Sequence, residues 1–177
     1  LVCVHMIDNI GKTLEDSEDI TASLAGALGE LIADNTRFEN RGNTYSAGEM
    51  ERLLHNKTGE TIRNRLPGGA LIYLTDRGEN LAGCGMVVRK EGWYEAKTLH
   101  VHRDFRRNGY AALICDLREA LLVRHGETEL IIESLKFENT LRFHQSRGFM
   151  PFEDGKVRVR SVLMRKTLHP STEPDRN

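Results

Sequence analysis

The sequence predicts a single domain of the α/β (α+β) class. Three observations carry this expectation. The chain has 177 residues, about the length of one domain. Helical spacing of apolar residues fills its first third and returns after residue 109, with strand-like runs and turn residues between. No repeat, low-complexity block or linker divides it.

The elements follow in order. Ile20, Leu24, Ala27, Leu28 and Leu31 recur at helical spacing, so residues 18–34 read as an amphipathic helix weakened by Gly26 and Gly29. Arg37–Tyr45, polar and holding Gly42, reads as a loop. Ser46-Ala47-Gly48-Glu49 is a capping box that starts a second helix near residue 47. Pro67-Gly68-Gly69 ends the helical region. Three strands then form an antiparallel meander: Leu71–Thr75, Leu81–Arg89 and Trp93–His102, with turns around Gly78 and at Lys90-Glu91-Gly92. Tyr110, Leu113, Ile114, Leu117 and Leu121 mark a helix that Gly126 stops. Leu130-Ile131-Ile132 is a buried strand and Thr140–Ser146 a short helix. Val157–Met164 is a last strand with Lys156, Arg158 and Arg160 alternating outward. The expected domain is 1–166, followed by a polar, flexible tail over 167–177 with Pro170 and Pro174.

Composition narrows the function. The 25 Lys+Arg and 26 Asp+Glu nearly cancel, which disfavours a nucleic-acid partner. No apolar run approaches the roughly 18 residues of a membrane span, and Leu1–Met6 is too short for a secretory leader. Cys3, Cys84 and Cys115, odd in number and far apart, suggest reduced thiols and a cytoplasmic location. No metal site is expected, since His100 and His102 lack a third ligand at suitable spacing. Cys84, small and set between two glycines, reads as a core residue rather than a nucleophile. The charges are not evenly spread: residues 1–40 hold eight acids and two bases, residues 136–177 nine bases and five acids. Two solvated faces explain this, as do two poles for differently charged ligands.

The stretch Leu99–Ala112 carries the chemistry. A strand ends near His102, a basic turn with Arg103, Arg106 and Arg107 follows, and a helix starts near Gly109. A helix start offers unpaired N–H groups and the positive end of the dipole. Gly109 permits close approach, and Ala111 and Ala112 keep the surface small. Such a turn can cradle a pyrophosphate, although an ordinary turn with a glycine has the same letters. It lacks the Lys-Ser/Thr of a P-loop.

The pattern Leu99-x-Val101-x-x-Asp104-Phe105-Arg106-x-x-Gly109-x-Ala111 resembles the acyl-CoA-binding motif of the GNAT superfamily of N-acyltransferases, with Arg103 where proline is common. Leu141-x-Phe143-His144-x-x-x-Gly148-Phe149 resembles the family's second signature, with His144 in place of tyrosine. The resemblance covers about residues 70–164. It implies a GNAT-like fold, a central mixed, mostly antiparallel sheet flanked by helices, and acetyl-CoA as cosubstrate. Pantetheine is then expected along Leu99, His100 and Val101, and the pyrophosphate at Arg106, Arg107, Asn108, Gly109, Tyr110, Ala111 and Ala112. Asn139 either contacts pantetheine or caps the last short helix.

The resemblance also implies a reaction: direct attack of a primary amine on the thioester. Glu95, six residues before Val101, occupies a position some members use for the base. Strand alternation sets Glu95, Lys97, Leu99 and Val101 on one side unless a bulge intervenes. His144 is the candidate acid for the departing thiolate, since about a quarter of an unperturbed imidazole is charged at pH 7. The acceptor is a small-molecule or protein amine, and a homodimer is compatible with such folds. The alternative is a non-catalytic acyl-CoA-binding or regulatory domain on the same fold.

Overall fold

The computed structural model describes residues 2–12, 20–42 and 44–169. In chain order the elements are β1 (Cys3–Asp8), α1 (Ala22–Glu39), α2 (Ala47–His55), α3 (Gly59–Arg65), β2 (Ala70–Thr75), β3 (Leu81–Lys90), β4 (Trp93–Val101), α4 (Tyr110–Arg124), β5 (Glu129–Leu135), α5 (Glu138–Ser146), β6 (Met150–Pro151) and β7 (Ser161–Thr167). The strands form one sheet in the order β1-β2-β3-β4-β5-β7-β6. Every pairing is antiparallel except β4 with β5. The expected mixed, mostly antiparallel sheet flanked by helices is therefore what the chain forms.

Both faces of the sheet are covered. On one, Leu28 and Ile32 of α1 and Ile62 of α3 pack on Leu71, Cys84, Met86 and Val88. On the other, Ile114 of α4 meets Ile72, Leu74 and Ala82, and Leu121 and Leu122 meet Val87, Ala96 and Ile132. Two-sided cover explains why β3 is buried without a break from Ala82 to Val88.

The helices begin where side chains satisfy their first N–H groups: Thr21 for α1, Ser46 with Glu49 in a full capping box for α2, and Thr58 for α3. Helix α1 runs to Glu39 rather than stopping near residue 34. Its two buried polar residues bond back to the preceding turn, Asn35 Nδ2 to Leu31 O and Thr36 Oγ1 to Ile32 O, so the polar face is tolerated inside. The expected loop from Arg37 therefore shortens to a 3-10 turn at Asn40–Gly42 and the residues beyond it.

Two strand expectations change. β1 pairs along β2 from Cys3–Thr75 to Asp8–Ala70, where no strand was anticipated. The last strand starts at Ser161, not Val157. Gly155 is left-handed at φ +78°, and the Asp154 carboxylate takes both the Lys156 N–H and the Arg158 guanidinium. Lys156, Arg158 and Arg160 thus belong to a loop closed on itself. At the other end, Thr167 is still in β7, and buried Leu168 donates its N–H to Thr128 O. The expected tail cannot begin at 167; residues 170–177 lie outside the described residues.

Candidate active site

β4 and β5 pair only at Glu95–Ile131 and Ala96–Ile132. Beyond Ala96 the parallel strands part, and the groups of Lys97–Val101 that would have faced β5 front a cleft of about 1200 Å³. That exceeds the usual small-ligand pocket of roughly 300–1,000 Å³ and suits two substrates. The cleft brings together Leu99, His100, Val101, Arg106, Arg107, Gly109, Tyr110, Ala111, Ala112, Asn139 and His144. It does not reach Glu95 or Asn108. Asn108 turns its side chain back to the Phe105 and Arg106 carbonyls, where it braces the turn.

The turn fits an anionic ligand. Helix α4 starts at Gly109, left-handed at φ +78°, with no side chain capping its first N–H groups. Helix α5 starts after Phe137, also uncapped by a side chain. Among the α-helices of the described residues these two alone lack a side-chain cap, and Tyr110–Ala112 of the first turn of α4 and Asn139 and Thr140 of α5 line the cleft. Unpaired N–H groups and two helix dipoles therefore face the same space. A Cβ added at Gly109 would meet nothing within 4 Å, so the backbone lies open to a ligand. Arg107, itself left-handed at φ 67°, is exposed and has no ion-pair partner among the described residues. Arg106 is committed to the scaffold. It donates to Val101 O and Asn35 Oδ1, pairs with Glu39 at 3.2 Å and stacks on the Phe38 ring. Asn139 is the second residue of α5 and not its cap, so the capping role falls away while its place on the cleft remains.

A bulge on β4 resets the expected register. Cys84 lies opposite His100 but Met86 opposite Lys97, and Thr98 is left-handed at φ 55°. Glu95 and Lys97 consequently share the α1 side with Val88 and Met86, whereas Leu99 and Val101 pack with Ile114 on the α4 side. The four residues do not share one face. Glu95 is buried between two lysines, with Lys97 Nζ at 2.5 Å and Lys90 Nζ at 3.4 Å.

Arg118 of α4 was not singled out by the sequence reading. Its only signal is an arginine on the apolar stripe between Ile114 and Leu121. It is 2% exposed and donates through Nη1 to the carbonyls of Lys97 (3.3 Å) and Met86 (3.4 Å), at the mouth of the bulge. Gly85 lets α4 approach the sheet here, since a Cβ there would lie 2.4 Å from Ile114 Cγ2. His144 is buried, its Nδ1 without a hydrogen-bond partner among the described residues. Burial first, and the Arg118 charge second, push its imidazole down to about 4. At pH 7 it is neutral, so the quarter charged that an unperturbed imidazole would show is absent. Burial likewise pushes the Cys84 thiol up to about 12 and keeps it a core residue. His100 is pushed down to about 3 by burial and by the charges of Lys57 and Arg106.

Comparison with known proteins agrees with this geometry. The PaiA N-acetyltransferase of Thermoplasma acidophilum, solved in complex with coenzyme A, superposes with a TM-score of 0.70 at 14% identity, over 93% of this chain and 99% of that one. A GNAT-family acetyltransferase of Staphylococcus aureus Mu50 gives 0.65 at 15% identity, over 94% and 100%. The ribosomal-protein-S18-alanine N-acetyltransferase of Escherichia coli gives 0.62 at 12% identity, over 98% and 97%. No curated protein matches in sequence. No helix among the described residues is long and apolar enough to cross a membrane. The model of the acetyltransferase (GNAT) family matches residues 33–149, about two thirds of the chain, and with the split sheet and uncapped turn already in place the chain belongs to the GNAT acetyltransferase family.

Proposed function

We propose that the chain is an N-acetyltransferase that moves an acetyl group from acetyl-CoA to a primary amine by direct attack. The observation that carries this reading is the cleft where β4 leaves β5, with the uncapped starts of α4 and α5 on its wall. The N–H groups of Arg107–Ala112 would hold the pyrophosphate. The unpaired edge of Leu99–Val101 would pair with the pantetheine amides, as an added strand does. This holds donor and amine side by side and removes much of the entropic barrier.

Acetyl-CoA supplies the activated carbonyl and a thiolate leaving group. The protein's contribution is placement and electrostatics. An N–H of β4 near the bulge polarises the thioester carbonyl. His144, neutral at pH 7 and in the cleft lining, would donate a hydrogen bond towards the departing sulfur rather than act as an imidazolium acid. Glu95 holds Lys97, a residue of the cleft lining, and the amine proton leaves through water. The test is a thiol-release screen with acetyl-CoA and a panel of amines. Release of free CoA that depends on an amine supports the reading. Donor binding without turnover on any amine would instead identify an acyl-CoA-binding domain.

A further inference from the structure

The cleft carries positive charge on two walls. One is the α4 side, with the turn at Gly109 and the packed Leu99 and Val101. The other is the α1 side, built by the α2–α3 segment and the outward residues of β4, and it is cationic. Lys57 lies between α2 and α3, Arg65 closes α3, and Lys97 projects from β4 on the same side as Met86. All three line the cleft.

The acids around them are engaged elsewhere. Among the lining residues the carboxylates are Glu39 and Glu133. Glu39 pairs with Arg106 at 3.2 Å. Glu133 accepts from Ser161 Oγ at 2.5 Å and faces Arg158 Nε at 3.6 Å. Glu95 answers Lys97 and Lys90. Lys57 and Arg65 have no carboxylate partner among the described residues. Burial, then Arg65, then Lys97 bring the Lys57 ammonium down to about 8, so these charges feel one another. Of the other acids in the first 40 residues, Asp8 pairs with Arg124 and His125 and Asp34 with Arg37, while exposed Glu30 lines a second, shallower hollow that Lys57 also borders; residues 13–19 lie outside the described residues. Of the acids in the first 40 residues, the cleft lining holds Glu39 alone among the described residues.

Lys57 and Arg65, without a carboxylate among the described residues and with the Lys97–Glu95 pair beside them, repel each other and lose hydration in the cleft, a cost that an anionic ligand relieves. The phosphates of CoA would take the uncapped turn at Gly109, whose residues pack on the α4 side. Resting on the acetyltransferase reading above, we propose that the acceptor amine carries an anionic group, a carboxylate or phosphate, seated against Lys57, Arg65 and Lys97. The same cations lower the affinity of the nearby amine for its proton, so the acceptor binds more readily as the nucleophilic free base.

The test uses the full chain, acetyl-CoA and matched acceptor pairs: glycine with glycinamide, phenylalanine with phenylalaninamide, and ethanolamine phosphate with ethanolamine. The expected result is a kcat/KM at least about tenfold higher for the anionic member of a pair, as one charge-assisted contact would give. Lys57→Met should remove most of that advantage and Lys57→Arg should retain it, with the KM for acetyl-CoA unchanged in both. Calorimetric titration of the same pairs into the protein saturated with CoA reads the preference without turnover. Preference for the amide or for a polyamine, or an unchanged ratio in Lys57→Met, would overturn the proposal. So would a charge preference that follows the donor, seen as succinyl-CoA outpacing acetyl-CoA in the wild type and not in Lys57→Met. Absence of turnover with every amine would sink the acetyltransferase reading instead, and the titration would still decide the anion preference.

Discussion

The guanidinium of Arg118 donates to the backbone carbonyl of Lys97 at 3.3 Å, from the opposite face of the sheet to the one the Lys97 side chain occupies. Helix α4 thereby grips β4 at its bulge, where the cleft opens. A buried cation beside His144 also helps keep that imidazole neutral. Arg118→Met should raise the His144 pKa but leave it below the ordinary value near 6.5, because burial is the larger cause. An NMR titration of the His144 ring measures this. The orphaned carbonyls of Lys97 and Met86 should cost about 1–3 kcal/mol, read as a lower denaturant midpoint.

His144 gives the fold an acid sensitivity with a definite sign. Its folded pKa of about 4 lies below the unfolded value of 6.5, so the unfolded chain binds the proton more tightly. Its contribution is complete above about pH 6.5 and is lost as pH falls from there to 4. The loss is on the order of 3 kcal/mol. Denaturant unfolding at pH 7.5, 6 and 5 should show this decline, and His144→Phe should lessen it by that amount, leaving the part that buried His100 contributes. An equal slope in both proteins would place the acid sensitivity elsewhere.

The parts of this architecture that were legible in the sequence are those where one face is apolar and the turn chemistry is local. The meander β2–β4, the capping box at Ser46 and the glycine turn at Gly109 are of this kind. β1 was not legible, since an edge strand whose residues are exposed or half-buried has no two-residue contrast to read. The start of β7 is misread because Lys156, Arg158 and Arg160 alternate like a strand, whereas Lys156 and Arg158 close a loop on Asp154 and Arg160 pairs with Glu49. The bulge at Thr98 is invisible because any residue can precede it, and it reverses which face Leu99 and Val101 share with Glu95. The cationic wall depends on Lys57, Arg65 and Lys97 meeting across about 40 residues of chain, a tertiary fact with no local signature.

Glu95 separates two mechanisms. A general base in direct contact with the amine contributes about 10²–10⁴ to the rate and sets one limb of the pH profile. Glu95 lies outside the cleft lining and holds Lys97, so Glu95→Gln should lower kcat/KM by less than about tenfold and keep the shape of the profile. The loss should appear in the acceptor KM rather than in kcat. Disappearance of the acidic limb in pH–rate measurements would assign Glu95 to the base role.

Gly59 sets the distance between α3 and α1. A Cβ there would lie 2.7 Å from both the carbonyl carbon and oxygen of Ala25, backbone atoms that cannot turn aside. Gly59→Ala should push α3 outward and cost about 1–3 kcal/mol, measured as a fall in Tm. The segment that moves carries Lys57 and Arg65, so the acceptor KM should rise while acetyl-CoA affinity, set at Gly109, stays the same.

The central claim is that an amine attacks acetyl-CoA directly in the cleft between β4 and β5. The measurement that tests it most directly is a product balance: free CoA thiol, N-acetylated amine and the intact mass of the protein, read from one reaction. The account predicts thiol and acetylated amine in equal amounts, no thiol above the uncatalysed rate when the amine is left out, and a protein of unchanged mass. Thiol release at the same rate without amine, or an acetylated protein chain that precedes product, would contradict it.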